Sequence, residues 1–362
     1  MTKSYRIVVL PGDGIGPEIV DATLDVLETL QDVLGRFSLC YEFHQAGAGC
    51  YQQTGQTITT EALEAFQRVD STLKGPVGLP EVRCADGTEA GLLGGELRVR
   101  FDLFANIRPI RLYPNVATPL KQDNPGSIDY MIVRENCEGL YLSRGVGLRT
   151  PQAASDTLLM TARGCERIAQ YAFKLALEKT RGAPQDGKKR VTLVDKSNVL
   201  RSYAFFRDIF LKTAAEYPDV TAECLYMDAA AAALVNRPEH FQIIVTENMF
   251  GDILSDLGGA TIGGLGMCPG ANIGERLSYF EPIHGSAPDI AGRSMANPTS
   301  QLLAAVMMLR HLGEQRAALL LENAVENLYA QKRVALSATG AVEGGSACVA
   351  NELKIILKGI SP

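Results

Sequence analysis

Asp252 and Asp256 stand four residues apart in Gly251-Asp252-Ile253-Leu254-Ser255-Asp256, shortly after the apolar run Phe241 to Val245. The run reads as a buried strand and the residues after it as a short helix. On a helix that spacing puts both carboxylates on one face, with Cβ atoms about 5–6 Å apart. Carboxylates that close repel unless a cation lies between them or one takes up a proton. Oxygen-only donors at a strand end suit a hard divalent ion, Mg²⁺ or Mn²⁺. A solvated acidic helix face gives the same spacing, but the apolar neighbours Ile253, Leu254 and Leu257 and the flanking glycines weigh toward a site.

The cationic side chains point the same way. Arginines at 98, 100, 108 and 111 crowd one stretch, and Arg134 directly follows the apolar run Tyr130 to Val133. The planar guanidinium grips carboxylates bidentately. Several arginines beside buried runs in an acidic chain therefore predict a site for a di- or tricarboxylate, although any one of them could serve as a surface partner. Lys196 follows the apolar run Val191 to Val194. Desolvated there it could act as a general base, while a solvated lysine is the simpler reading. Asp228 follows Cys224-Leu225-Tyr226-Met227 and precedes an alanine-rich stretch. It is a helix N-cap, a third metal carboxylate, or both.

These residues need a frame. Strand-like runs at 6–10, 39–44, 102–107, 130–133, 191–194, 222–227 and 241–245 alternate with helical patterns at 59–69, 156–179 and 203–217, and the chain turns helical after 299. That alternation predicts an α/β fold. Gly313 fits the position just past a helix end. The loop Pro11-Gly12-Asp13-Gly14-Ile15-Gly16-Pro17 joins the first strand to a helix. It could cradle a phosphate at the helix N-terminus or be a structural turn, and it lacks the full Rossmann fingerprint.

With 362 residues the chain suggests two domains. A net charge of −6 argues against nucleic acid as the main partner. Eight scattered cysteines without a Cys-x-x-Cys, and four histidines without zinc-type spacing, suggest inert thiols in a reducing, cytoplasmic setting. No signal peptide and no membrane-length apolar run is read.

Taken together, the motifs resemble the isocitrate/isopropylmalate dehydrogenase family, the metal-dependent β-decarboxylating dehydrogenases. The likeness runs from Pro11-Gly12-Asp13-Gly14 to about Leu312. It is densest at Gly251 to Asp256, at Phe280-Glu281-Pro282-Ile283-His284-Gly285-Ser286-Ala287-Pro288-Asp289, and at Ala296-Asn297-Pro298. The resemblance implies a two-domain isopropylmalate dehydrogenase-like α/β fold rather than a standard Rossmann domain. Residues 1–103 with 263–362 would form the large cofactor-binding domain. Residues 104–262 would form the smaller domain for dimerisation, metal and substrate, with an arm within 138–154. It further implies that Arg98, Arg108 and Arg134 clamp the substrate carboxylates, that Tyr141 handles the proton after decarboxylation, and that Lys196 is the base. Asp252 and Asp256 would hold Mg²⁺ or Mn²⁺, joined by Asp228. Lys196 and Asp228 would complete the site of the partner in a homodimer. Glu281, His284, Gly285, Ser286, Ala287, Asp289 and Asn297 would hold the cofactor, NAD rather than NADP because an acid at 289 repels a 2′-phosphate.

The expected reaction is NAD-dependent oxidative decarboxylation of a 3-substituted malate. Glu89-Ala90-Gly91-Leu92-Leu93 looks like the 3-isopropylmalate version of the substrate loop. Leu73-Lys74-Gly75-Pro76 and Arg134-Glu135-Asn136-Cys137-Glu138-Gly139 lean toward isocitrate, homoisocitrate or tartrate/D-malate members. A non-catalytic regulatory subunit of the same fold would lack the catalytic side chains that this chain retains. A metal-binding structural protein would have no use for the arginines.

Overall fold

The computed structural model describes residues 3–85, 87–121, 124–337 and 339–359. Twelve strands run in chain order: β1 (Lys3–Leu10), β2 (Phe37–Phe43), β3 (Ser71–Lys74), β4 (Ala105–Arg111), β5 (Asp129–Glu135), β6 (Leu148–Arg149), β7 (Ala154–Ser155), β8 (Arg190–Asp195), β9 (Thr221–Tyr226), β10 (Ile243–Thr246), β11 (Pro269–Ile273) and β12 (Ser278–Pro282). Ten of them form one sheet in the order β2-β1-β3-β12-β11-β4-β5-β10-β8-β9, while β6 and β7 pair separately. The fold is mixed α/β.

The order has a physical logic. β1, β8 and β10 carry apolar runs and, with the buried β3, pair in parallel, as strands covered on both faces do. Between these parallel flanks lie three antiparallel pairings, β12 with β11, β11 with β4, and β4 with β5. The residues that lie centrally in the sequence, 105–246, thus supply one half of the sheet, and 3–74 with 269–282 supply the other. One apolar cluster runs through both halves. The helix Thr299–His311 packs on β3, β11 and β12, and the helix Ala162–Glu178 packs on β5, β8 and β10.

Some boundaries depart from the sequence reading. The strand expected from 102 starts at Ala105, because Asp102 turns with φ +50°. The helix expected from 156 starts at 162. Thr161 caps it by accepting the Gly164 N–H at 3.0 Å, and the Glu138 carboxylate accepts the Thr161 N–H and hydroxyl. Gly313 sits past its helix with φ +84°, as expected. The loop at 11–16 is a structural turn. The Asp13 carboxylate accepts N–H groups from Ala48, Gly49 and Gly78, and the Ile15 N–H goes to the Ser286 carbonyl at 2.8 Å. With those groups engaged internally, nothing favours the phosphate reading.

Candidate active site

The strand β10 delivers the chain to Glu247, whose side chain accepts the N–H groups of Phe250 and Met249 and so caps the helix Asn248–Ala260. Gly251 lets that helix lie directly on β5: a Cβ there would stand 2.6 Å from Cγ of Arg134. This close approach sets the central contact of the site. The Arg134 guanidinium donates to Asp252 and, through Nε at 2.9 Å, to Oδ1 of Asn248. Tyr141 Oη donates to the other Asp252 oxygen at 3.2 Å. Arg108, from β4, donates to Ser255 Oγ at 2.5 Å and lies 3.2 Å from Asp252 and 3.7 Å from Asp256.

A second polar network runs under the first, across four neighbouring strands. Arg108 Nε donates to Asn106, Asn106 to Asn272 at 2.8 Å, and Asn272 to Glu281 at 2.8 Å. Glu281 also accepts from Lys74 at 2.6 Å and from Arg98 at 3.0 Å, and Arg98 Nε donates to Tyr279 Oη. All these strand residues are buried, and sequence reasoning left Lys74, Asn106 and Asn272 out of the site. Their signal was a polar residue inside an otherwise apolar strand, which needs a partner to be tolerated.

Arg98, Arg108, Arg134, Tyr141, Asp252, Glu281, His284 and Gly285 line a single cleft of about 900 Å³, together with Lys74 and the apolar Val77, Leu92, Leu93, Leu140, Leu142 and Ile283. Arg100 and Arg111 do not join it. Arg100 pairs with Glu96, and Arg111 with Glu326 and Glu322. Lys196 and Asp228 lie apart from the cleft lining and bind each other. Asp228 is one residue inside its helix, which Tyr226 precedes as N-cap, so the capping reading gives way to the pair with Lys196. Ser286 is buried with its hydroxyl on the Gly78 carbonyl, and Ala287 is held at φ +39°. Asn297 is buried and accepts the Thr299 N–H at 3.0 Å. Asp289 is exposed.

Charge is distributed unevenly over these groups. Burial opposes ionisation of Asp252, but Arg134 and Arg108 outweigh it and hold the carboxyl below its ordinary value. Asp256 moves the other way, raised by burial and by Asp252 against the pull of Arg108. Burial, then Arg108, brings Arg134 down to about 9. Burial works against Glu281, yet Lys74 and Arg98 keep it well below the carboxylate range. Burial lowers His284, so its ring is neutral near pH 7. The Asp252 and Asp256 carboxylates, four residues apart on one helix, are oxygen donors of the kind a hard cation takes, with Arg108 and Arg134 beside them.

A model of the isocitrate/isopropylmalate dehydrogenase family matches residues 6–341. The chain belongs to this family. It is 42% identical to the 3-isopropylmalate dehydrogenase of Methanothermobacter thermautotrophicus, over 91% of this chain and 92% of that one. It is 43% identical to the 3-isopropylmalate/3-methylmalate dehydrogenase of Methanocaldococcus jannaschii, over 90% of this chain and 91% of the other. The crystal structure of isocitrate dehydrogenase from Methylococcus capsulatus superposes with a TM-score of 0.85 at 33% identity, covering 98% of this chain and 99% of that one. The protein is therefore an oxidoreductase, a β-decarboxylating dehydrogenase. Family membership implies a small carboxylate substrate, a dinucleotide and a divalent metal. No helix among the described residues is long and apolar enough to cross a membrane.

Proposed function

We propose that the chain oxidatively decarboxylates 3-isopropylmalate or a closely similar 3-substituted malate with NAD, as a cytoplasmic homodimer with shared active sites. The observation that carries this is the cleft itself, where three buried or half-buried arginines face Asp252 while Val77, Leu92, Leu93, Leu142 and Ile283 offer an apolar wall. Arg98, Arg108 and Arg134 orient the substrate carboxylates and offset their charge. A divalent ion on Asp252 and Asp256 would acidify the substrate hydroxyl and stabilise enolate charge, and NAD would accept the hydride. Lys196 takes the hydroxyl proton, and Tyr141 delivers one to the carbon that loses carbon dioxide. The Tyr141 hydroxyl is well suited to hold its proton until then, since burial and Asp252 raise its pKa. Glu281, between Arg98 and His284, marks where the substrate and cofactor ends of the cleft meet.

Exposed apolar side chains support the dimer. Val146 and Leu148 stand out from the 138–154 arm, Val199 and Leu200 follow Lys196, and Ile253 adjoins Asp252. A partner covering them would desolvate the Lys196 pair and bring Asp228 to the other chain's aspartates. The two halves of the sheet support a domain division at 103 and 263. His284 to Asp289 and Asn297 receive the adenosine end, and the exposed Asp289 carboxylate has no hydrogen-bond or ion-pair partner among the described residues, free to accept ribose hydroxyls. Isocitrate remains the alternative, favoured by Lys74 at the cleft floor as one more cation. The test is a panel of 3-isopropylmalate, 3-methylmalate, isocitrate, homoisocitrate, tartrate and D-malate with Mn²⁺ and either cofactor. The highest kcat/KM should fall on 3-isopropylmalate with NAD. Turnover of none of them would sink the assignment, and a preference for NADP would remove Asp289 from its role.

A further inference from the structure

Glu135 ends β5 next to Arg134, yet its side chain takes no part in the cleft. One oxygen, Oε2, accepts the N–H groups of Cys137 at 3.0 Å and Glu138 at 2.6 Å. These belong to the turn that leads to Gly139 and Tyr141. The carbonyl of Glu138 then accepts Nδ2 of Asn248 at 3.0 Å, and Oδ1 of the same Asn248 accepts two N–H groups of Arg134. A continuous path of hydrogen bonds thus leads from the Glu135 carboxylate through the turn to the guanidinium in the cleft. The other oxygen, Oε1, is buried without a hydrogen-bond partner. Glu135 borders a small hollow of about 10 Å³ lined by Glu138, Gly139, Met160, Cys165, Phe206 and Glu247.

We propose that Glu135 is a positioning residue, whose ionised carboxylate fixes the 136–139 turn and, through Asn248, the Arg134 guanidinium that receives the substrate. This rests on the dehydrogenase reading above. The charged form makes charge-assisted bonds to both turn N–H groups, which a neutral carboxyl makes more weakly. The surroundings make the charge conditional. Burial raises the Glu135 carboxyl to about 7, with the turn N–H groups and Arg167 pulling it down and Glu138 pushing it up. Arg167, on the helix Ala162–Glu178, stands 3.9 Å away but is bonded to Asp102, and Cys165 faces from the same helix. Glu247 faces from β10's end, Cys137 lies in the turn, and Ala105 opposite on β4 carries no charge. No other cation approaches Glu135 among the described residues.

As pH falls through about 7 the carboxyl protonates, the turn loosens and Arg134 loses its aim, so KM for the malate substrate rises. The malate carboxylates stay ionised over that range, near the ordinary carboxylate values of about 4. The experiment measures KM and kcat from about pH 5.5 to about pH 8.5 for the full-length protein and for Glu135→Gln, which is neutral throughout. In the unsubstituted protein KM should rise about tenfold toward acid, while Glu135→Gln should show the high KM at every pH and converge with it at the acid end. A Glu135→Gln profile that tracks the unsubstituted protein at every pH overturns the proposal. Should Glu135→Gln fail to fold, Arg167→Gln removes the nearest cation and should move the KM midpoint upward, and an unmoved midpoint overturns it equally. Should no malate derivative turn over, the function reading fails separately. An infrared pH titration then decides for Glu135: a carboxylic acid C=O band appearing below about pH 7 and missing in Glu135→Gln supports the buried switch, and its absence overturns it.

Discussion

Glu281 holds the Lys74 ammonium and the Arg98 guanidinium together, so its removal should cost more than the removal of either cation alone. Gln at 281 keeps the shape and can still accept from Asn272 and Arg98. Its amide would, however, turn a donor toward the Lys74 ammonium, which now sits 2.6 Å from the carboxylate, leaving that ammonium only the Gly75 carbonyl at 3.0 Å. Stranding a buried charge in this way costs about 3–5 kcal/mol. At about 2 °C per kcal/mol for a chain of this size, Glu281→Gln should lower Tm by roughly 6–10 °C in scanning calorimetry. Lys74→Met leaves Glu281 paired with Arg98 and Asn272 and should cost only about 1–2 kcal/mol. The double variant removes the stranded charge, so the two losses should fall short of additivity by at least about 1.5 kcal/mol. The pH dependence has a fixed sign. Because the folded protein depresses the Glu281 pKa, its contribution is fully present above the unfolded value of about 4.3 and fades only as pH falls through the lower folded value. The gap between unsubstituted protein and Glu281→Gln should therefore be constant from about pH 8 to about pH 5 and close only below about pH 4. A Glu281→Gln protein melting within a degree or so of the unsubstituted one, or strict additivity with Lys74→Met, would refute the reasoning.

Three further outcomes are expected. Mixing Lys196→Ala protein with Asp252→Ala protein should regain activity after subunit exchange, because a mixed dimer holds one site with both defects and one with neither; proven exchange with no activity would exclude shared sites. Tyr141→Phe should lower kcat about 10²–10³-fold with KM changed only a few-fold, and an unchanged kcat would remove the proton-delivery role. Chelation with EDTA should abolish turnover and Mn²⁺ or Mg²⁺ restore it, and Asp256→Asn should weaken the metal's half-saturation about tenfold or more; activity indifferent to chelator would dismiss the carboxylate pair as a metal site.

Local spacing made much of this legible. The Asp252/Asp256 pair shares a helix face as its spacing implies, and Arg134 sits near a strand end as its apolar run implies; with Arg98 and Arg108 they come together in or beside one cleft. What the sequence hid was side and distance. Arg108 and Arg111 look equivalent in Ile107-Arg108-Pro109-Ile110-Arg111, yet strand side chains alternate with period two, so three residues' separation sends them to opposite faces. Arg111 meets Glu326 on a helix more than two hundred residues later. The strands β11 and β12 escaped notice because Asn272, Tyr279 and Glu281 break their apolar pattern, and those residues meet Asn106 on β4, Arg98 and Lys74 on β3, partners that no local window contains. The segment Gly94–Val99 winds as a wide π-type turn that carries Arg98, a form that no local pattern of spacing announces.

The order of strands in the sheet also dictates a schedule. β3 and β4 lie one after the other in the sequence, but the places between them are filled by β12 and β11, from residues 269–282. A chain emerging from the ribosome at about 5–20 residues per second must then wait on the order of ten seconds or more between finishing β4 and receiving the strands that seal it. Throughout that interval β3 and β4 each present an open edge, the buried side of Lys74 has no Glu281, and Asn106 has no Asn272. Open edges recruit other strands. The polar groups along β3 and β4 make these edges poor templates for a stray apolar strand, so the network that organises the cleft in the finished protein also guards the nascent one.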